Sequence, residues 1–295
     1  MGVEDIVRST DPALQPEPAA LPRIALIVAT VDRDRSLQQL LSSLVAQAYP
    51  KLDVIIADQN DGDLLAPIVR MFEHRLRLVW MRTPRGLSRA RNAALKRVHA
   101  DIVGFPDDDC FYPLGFLHTL ARTFVADSSI DGLCVPPVDE HTGERFRGFK
   151  GSRASLTSSN IWSLTSSIGL FLRSDVIKAV GGFDESLGLG AGTGWLASED
   201  RDYPLRALEN GFRVMYEPRL GVWHPSLKYD LTRAYSYGAA CGRVLRQHGA
   251  GPYDVVRMVL VRPLGAALLA LTKGKVNIAR YYIRSMRGRI HGWTS

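Results

Sequence analysis

RIALIVATVDRDRSLQQLLSSLVAQAYPKLDVIIAD, residues 23–58, decides the fold class. RIALIVA (23–29) is a continuous β-rich apolar run, as expected of a strand buried on both faces of a parallel sheet. Leu37, Leu40, Leu41, Leu44 and Val45 then recur at i, i+3, i+4, i+7 and i+8, which places them on one face of a helix. LDVIIAD (52–58) is a second buried run. Strand, helix, strand is a crossover unit, and a crossover joins parallel strands.

The same alternation continues outward. DLLAPIVRMFEHR reads as a helix with Pro67 near its start, LRLVWMR (76–82) as a strand, Leu87 to Val98 as a helix and ADIVGFP (100–106) as a fourth strand. This βαβαβαβ order implies a doubly wound α/β sheet whose ligands bind at the carboxyl ends of the strands. The middle is less regular. IDGLCV and SIGLFLR read as strands, 136–160 as mostly loop, 174–180 as a short helix, 198–209 as a helix and FRVMYEP (212–218) as a closing strand. A Gly-rich stretch, LGLGAGTGW (187–195), precedes that last helix.

The 295 residues are 46% hydrophobic and 23% charged, with Gly and Pro near average, which excludes collagen-like, low-complexity and wholly disordered chains. Three cysteines without a CxxC pair argue against a disulfide framework or structural zinc and fit a reducing compartment. Residues 1–21 read as a disordered Pro/Ala leader with no secretory h-region. The uncharged run from Ala154 to Leu172 is too rich in Ser and Thr for a lipid-facing helix, and Val255 to Leu271 is interrupted by Arg257, Arg262 and Pro263. A simple membrane span is therefore not expected. The net charge of +7 is concentrated at one end: from Asp230 onward there are eleven Lys/Arg against two Asp/Glu. A near-neutral body carries a basic tail, and an anionic partner is expected for the tail.

Asp107-Asp108-Asp109 directly follow the fourth strand. Adjacent carboxylates raise one another's pKa unless a cation neutralises them, so a divalent ion with oxygen ligands is one reading. An acidic turn between Pro106 and Pro113 is the other, and the residues alone leave both open. Ser198-Glu199-Asp200-Arg201-Asp202 open a helix, with Ser198 as candidate N-cap and the acids favoured by the helix dipole. The glycines feeding into them fit a mobile flap, and a carboxylate there suits general-base chemistry.

RIALIVATVDR, SLQQLLSSLVAQAYPKLDVIIADQND, GLSRARNAAL, DIVGFPDDDC, VGGFDE and SEDRDYPLRALENGFRVMYEP, in this order, resemble the family 2 glycosyltransferases of GT-A fold over about Pro22 to Pro225. The resemblance implies a mostly parallel doubly wound sheet with flanking helices in 22–228, followed by a basic helical extension in 229–295. It also implies roles. Ala29, Thr30, Val31, Asp32 and Arg33 match the nucleotide loop, and Asp58 the acid that contacts the uracil ring; Gln59 stands where a second Asp is usual. Arg91, within Gly86 to Asn92, matches a nucleotide or diphosphate contact, a role suited to its forked donors. Asp107, Asp108 and Asp109 match the DxD motif. One acid is implied at the ribose or sugar and the last at Mn²⁺ or Mg²⁺, with Asp107 and His224 as further candidate ligands. Glu199-Asp200 match the acidic pair that supplies the base, Glu199 being slightly preferred.

The activity so implied is a metal-dependent, inverting transfer of a sugar from a UDP- or dTDP-sugar to a hydroxyl of a saccharide or lipid-linked acceptor, in cell-surface polysaccharide synthesis. Trp195 is a candidate to stack on an acceptor sugar or to anchor its loop. In a helix over 276–290, Ala279, Ile283, Met286 and Ile290 form one stripe and Arg280, Arg284 and Arg287 another about 90° away. That pattern, beside Val255 to Leu271, fits a cytoplasmic protein held on the inner face of the cell membrane. Packing of both helices on the body is the alternative. No nucleic-acid module is recognised. A non-catalytic scaffold of the same fold remains the rival function. A sugar-1-phosphate nucleotidyltransferase would need a Gly-rich loop after the first strand, where VATVDRDR stands.

Overall fold

The computed structural model describes residues 21–146, 148–149, 151–226 and 229–295, so nearly all of the expected leader (1–21) lies outside the described residues. The first half alternates as expected: β1 (Ile24–Thr30), α1 (Arg35–Ala46), β2 (Leu52–Asp58), α2 (Ala66–Phe72), β3 (Arg77–Arg82), α3 (Leu87–Leu95) and β4 (Ile102–Gly104). β1 pairs in parallel with β2 and β4, and β2 with β3. Side chains of β1 divide by the strand period of two. Ile24, Leu26 and Val28 enter one core with Leu37, Leu40, Leu41 and Leu44 of α1, while Ile27 enters the other with Ala90 and Ala94 of α3.

The chain continues through α4 (Phe116–Ala126), β5 (Gly132–Cys134), β6 (Pro137–Asp139), β7 (Ala154–Ser155), α5 (Ile161–Leu164), β8 (Leu170–Arg173), α6 (Ser174–Val180), α7 (Glu199–Glu209), β9 (Val214–Tyr216) and β10 (Val222–His224). The eight-stranded sheet has the order β3-β2-β1-β4-β8-β5-β9-β7. β8 runs antiparallel to both β4 and β5, and β7 antiparallel to β9, so the sheet is mixed but mostly parallel. The region expected to be mostly loop, 136–160, contains β6 and β7. Both are too short to show a period, and they exist through their pairing with β10 and β9. Fourth and closing strands are likewise shorter than expected, because only the paired residues are held extended.

Four helices form the C-terminal extension: α8 (Ala234–Gln247), α9 (Pro252–Val256), α10 (Arg262–Thr272) and α11 (Val276–Thr294). A π-helical turn over Arg257–Val261 joins α9 to α10 as one helix, Pro252–Thr272, long and apolar enough to cross a membrane by length and composition. The apolar stripe of α11 divides, with Ala279 buried and Ile283 and Met286 half-buried, and the buried line runs beside it. It consists of Ala279, Ser285, Gly288 and Gly292, while Ile290 is exposed. Small residues prevail because α8 and α11 touch backbone to backbone: a Cβ on Gly288 would lie 2.0 Å from the Tyr235 carbonyl oxygen, and one on Gly238 2.0 Å from that of Ser285. Ala279 packs with Ala267 and Ala270 of α10, and Arg280, Arg284 and Arg287 face water. All three cysteines are buried free thiols.

Candidate active site

A cavity of about 1200 Å³ opens at the carboxyl ends of β1 and β4. An isolated bridge between Ala29 and Asp107 prolongs the β1–β4 pairing past Gly104 and fixes the three aspartates at the cavity floor. β10 brings the fourth element. Phe111 and Trp223 exchange both backbone hydrogen bonds, each 2.9 Å, which draws His224 up to the aspartates. His224 Nε2 lies 3.3 Å from Asp109 Oδ1, and Nδ1 is 2.6 Å from the Pro225 carbonyl oxygen. Nδ1–H donated to that carbonyl aims Nε2 at the acids, the orientation of a metal-ligating histidine; while protonated, Nε2 donates to Asp109. One ligand atom from each of Asp107, Asp109 and His224 falls within 4.8 Å of the other two, a group that fits a single metal ion. Burial raises Asp109, but the hydrogen bond and charge of His224, then Arg33, outweigh it and hold the carboxyl down at about 2. Asp107 is raised by burial against the pull of Arg91.

Asp108 has a different task. It is buried, accepts from Thr30 Oγ1 at 2.6 Å and from Arg33 Nη1 at 2.8 Å, and is lifted by burial to about 6. Arg33 also pairs with Asp109. Thr30, Asp32 and Arg33 thus belong to the loop that wraps the aspartates, and Ala29, Asp32 and Arg33 line the cavity.

Two expected nucleotide contacts are placed elsewhere. Asp58 is fully buried, and its oxygens are taken by Asn60 N at 2.9 Å, Asn60 Nδ2 at 2.7 Å and Trp80 Nε1 at 2.9 Å, with Arg82 2.8 Å away. It organises the turn after β2, and it is Gln59 that lines the cavity while accepting from Gly86 N at 2.7 Å. Arg91 is 0% exposed and lies behind the floor, with Nη2 3.1 Å from Asp107 Oδ1 and Nη1 3.6 Å from Glu199 Oε1. Its charge is spent inside the protein, with the guanidinium over the Phe183 ring.

Glu199 and Asp200 open α7. Ser198 occupies the N-cap position at φ 73°, a left-handed conformation strained for serine, and its hydroxyl makes no cap bond; the expected cap is supplied only by its carbonyl, which accepts from Asp202 N at 2.9 Å. Glu199 is 7% exposed and its carboxyl is pushed up to about 7, by burial first and then by Asp200. Asp200 is paired with Arg201. Gly188, at φ +96°, passes so close to Glu199 that a Cβ there would sit 3.3 Å from Oε2. The Gly-rich segment therefore screens Glu199 from the cavity, which Leu189 and Gly190 line in its place. Trp195 packs away from the cavity, stacked on His291 with Arg243 over its ring, so it anchors the loop to the C-terminal helices.

Asp230, Arg233 and Tyr237, at the start of the C-terminal extension, line the same cavity. No spacing in the sequence signals them; only the basic composition of the tail hinted at an anionic partner. The cavity wall crosses the expected boundary at 228/229.

The family model for glycosyl transferase family 2 matches residues 25–178. Glycosyltransferase AglE of Haloferax volcanii is 23% identical over 220 residues, 70% of this chain and 68% of AglE. The pre-mycofactocin glycosyltransferase of Mycobacterium tuberculosis is 28% identical over 178 residues, 56% of this chain but only 36% of its own length. Two solved structures share the fold. The mannosyltransferase PcManGT of Pyrobaculum calidifontis, in complex with GDP-Man and Mn²⁺, superposes with a TM-score of 0.65 at 17% identity, covering 94% of this chain and 90% of that one. S. aureus TarS 1–349 with UDP-GlcNAc superposes at 0.59 and 16% identity, covering 90% and 91%. Since that family model spans more than half of the chain, and the strands it covers carry the aspartate floor, the chain belongs to glycosyl transferase family 2.

Proposed function

We propose that this enzyme is a metal-dependent, inverting glycosyltransferase that moves a sugar from a nucleoside diphosphate donor to a hydroxyl of a saccharide or lipid-linked acceptor, in cell-surface polysaccharide synthesis. The observation that carries the reading is the convergence of Asp107, Asp109 and His224 on the floor of the cavity. Two carboxylates and an imidazole suit Mn²⁺ better than Mg²⁺, which prefers an all-oxygen shell. When bound, the ion supplies Lewis-acid stabilisation of the charge that develops on the leaving diphosphate.

The chain's own groups account for the remaining work. Thr30 and Arg33 hold Asp108 toward the donor's ribose or sugar. Glu199, near 7, takes the acceptor's hydroxyl proton; the freed oxygen pair bonds to the anomeric carbon as the sugar–phosphate bond breaks, and the nucleoside diphosphate leaves with that electron pair. One displacement with one base inverts the anomeric centre. Gly188 to Gly194 must shift to expose Glu199, and glycines at this density permit it. Donors bound by the structural neighbours, UDP-GlcNAc and GDP-Man, add a guanine nucleotide to the UDP- and dTDP-sugars considered from the sequence.

We propose further that the protein rests on the cytoplasmic face of the cell membrane. Arg257 and Arg262 tether the Pro252–Thr272 helix to the body, Arg262 Nη1 donating to Ser163 Oγ at 2.9 Å and Arg257 Nη2 to the Ser159 carbonyl oxygen. The opposite face leaves Val261, Leu264, Leu268 and Leu271 exposed, with Lys273 and Lys275 at its end. A helix with one face docked and the other apolar suits an interfacial position.

Thermal stability against a panel of nucleoside diphosphates, with and without Mn²⁺, tests the reading. One nucleotide that stabilises the wild type only with metal, and not D109A, is the expected result. Absence of any stabilisation would favour the scaffold of the same fold.

A further inference from the structure

The cavity floor carries three aspartates, so a diphosphate approaching it needs cations beyond one divalent ion. Arg91, the residue the sequence offered for this contact, is wholly buried and neutralised between Asp107 and Glu199. Among the described residues lining the cavity, Arg33 is engaged by Asp108 and Asp109, Arg85 stands 3.9 and 4.0 Å from Asp32 and Asp61, and the exposed Arg35 opens α1. Arg233 stands on the wall contributed by the C-terminal extension. Its guanidinium is held by Asp230 Oδ2 at 3.3 Å, and Tyr237, one helical turn on, lines the same wall. Arg33 lines the same cavity from the loop after β1. Two cations from separate parts of the chain thus line one cavity, where an anion can be met by both.

We propose that Arg233, aimed by Asp230, is a phosphate-binding cation of the cavity, and that it meets the donor's diphosphate opposite Arg33. The inference rests on the glycosyltransferase reading and deepens it: the C-terminal extension completes the donor site. Arginine's fork spans two phosphate oxygens, a geometry lysine does not reproduce.

Calorimetric titration of wild type, R233A, R233K and R287A tests this. Two probes are used: the nucleoside diphosphate that stabilises the wild type, with Mn²⁺, and polyprenyl phosphate in detergent micelles. Loss of one charge-assisted bond predicts nucleoside diphosphate binding about tenfold or more weaker in R233A and partly restored in R233K. R287A, an exposed arginine of α11, should stay within about twofold of wild type. The same nucleoside without phosphates should bind wild type and R233A equally, which a merely structural role for Arg233 would not produce. Weakening confined to polyprenyl phosphate would overturn the donor assignment and place the phosphate on the acceptor. Unchanged binding of both probes would overturn the site altogether. A wild type that binds no nucleoside diphosphate would instead sink the donor reading on which the proposal stands.

Discussion

His224 Nε2 stands 3.3 Å from Asp109 Oδ1 because the residues beside them, Trp223 and Phe111, are hydrogen-bonded to each other in both directions. The contact is thus set by backbone pairing and does not depend on a long side chain finding its partner. This rigidity is what a metal site needs, since ligand directions must be fixed before the ion arrives. Replacing His224 with Ala should weaken Mn²⁺ binding by at least the 10- to 100-fold typical of disturbing a ligand's support. Manganese titration followed by electron paramagnetic resonance measures it, and unchanged affinity would remove His224 from the ligand set.

Glu199 supplies the pH dependence. Its carboxyl, raised to about 7 by burial and by Asp200, must be ionised to accept a proton, so kcat should rise with pH and level off above about 7. E199Q should lose about 10²–10⁴-fold in kcat. Stability runs the other way. A carboxyl raised on folding binds its proton more tightly in the native state, so its ionisation destabilises the fold as pH rises from the ordinary Glu value of 4.5 toward 7. E199Q should therefore melt higher than wild type at pH 8 and nearly equal to it at pH 4. An equal or lower melting point at pH 8 would contradict the burial argument.

Arg91 is tested through stability. Truncation to Ala would leave Asp107 and Glu199 facing each other without their shared cation, at a cost of about 3–5 kcal/mol. Urea denaturation gives the number. A loss under about 1 kcal/mol would mean that Arg91 does not carry charge between the two acids.

The joint between α8 and α11 is sensitive to a single methyl. With the Tyr235 carbonyl oxygen 2.0 Å from a Cβ at position 288, G288A must push the helices apart, at about 3 kcal/mol or more. Because Arg233 caps the start of α8 and Tyr237 lies on it, both lining the cavity, the same variant should also weaken nucleotide binding. Melting and nucleotide titration of one preparation check both effects.

Membrane docking is read from Leu264 and Leu268, 40% and 63% exposed. The double variant L264D/L268D should bind anionic vesicles at least about tenfold less well, from the roughly 1.5–3 kcal/mol lost per buried leucine, while donor binding stays unchanged. Cosedimentation that matches wild type would leave the apolar face without this role.

Much of the catalytic half was legible from residues 23–109, where strands long enough to be read alternate with helices whose apolar spacing is unambiguous. Leu37, Leu40, Leu41 and Leu44 are all buried where their spacing put them. The aspartates were legible as well, because they lie next to one another at the end of a strand. Asp58 and Arg91 show the limit. Motif position put them near the nucleotide, but whether a side chain faces a cavity or the interior depends on partners such as Asn60, Trp80 and Glu199, some of them distant in sequence. The Gly and Ser line of α11 was not legible for a related reason. Hydrophobic periodicity detects faces that bury large side chains, whereas two helices in backbone contact bury glycine and serine.

By itself the sequence determined the α/β alternation, the order of the first four strands' elements, the cluster of acids at the fourth and the charge of the tail, since each is a local or composition-level property. Only the tertiary structure decided that His224 joins Asp107 and Asp109, that Arg91 is an internal cation, and that Arg233 and Tyr237 belong to the cavity. Those relationships join segments more than a hundred residues apart, or depend on which way a side chain turns when its neighbours are packed. Burial and pairing across such distances are set by the assembled core, and no local spacing encodes them.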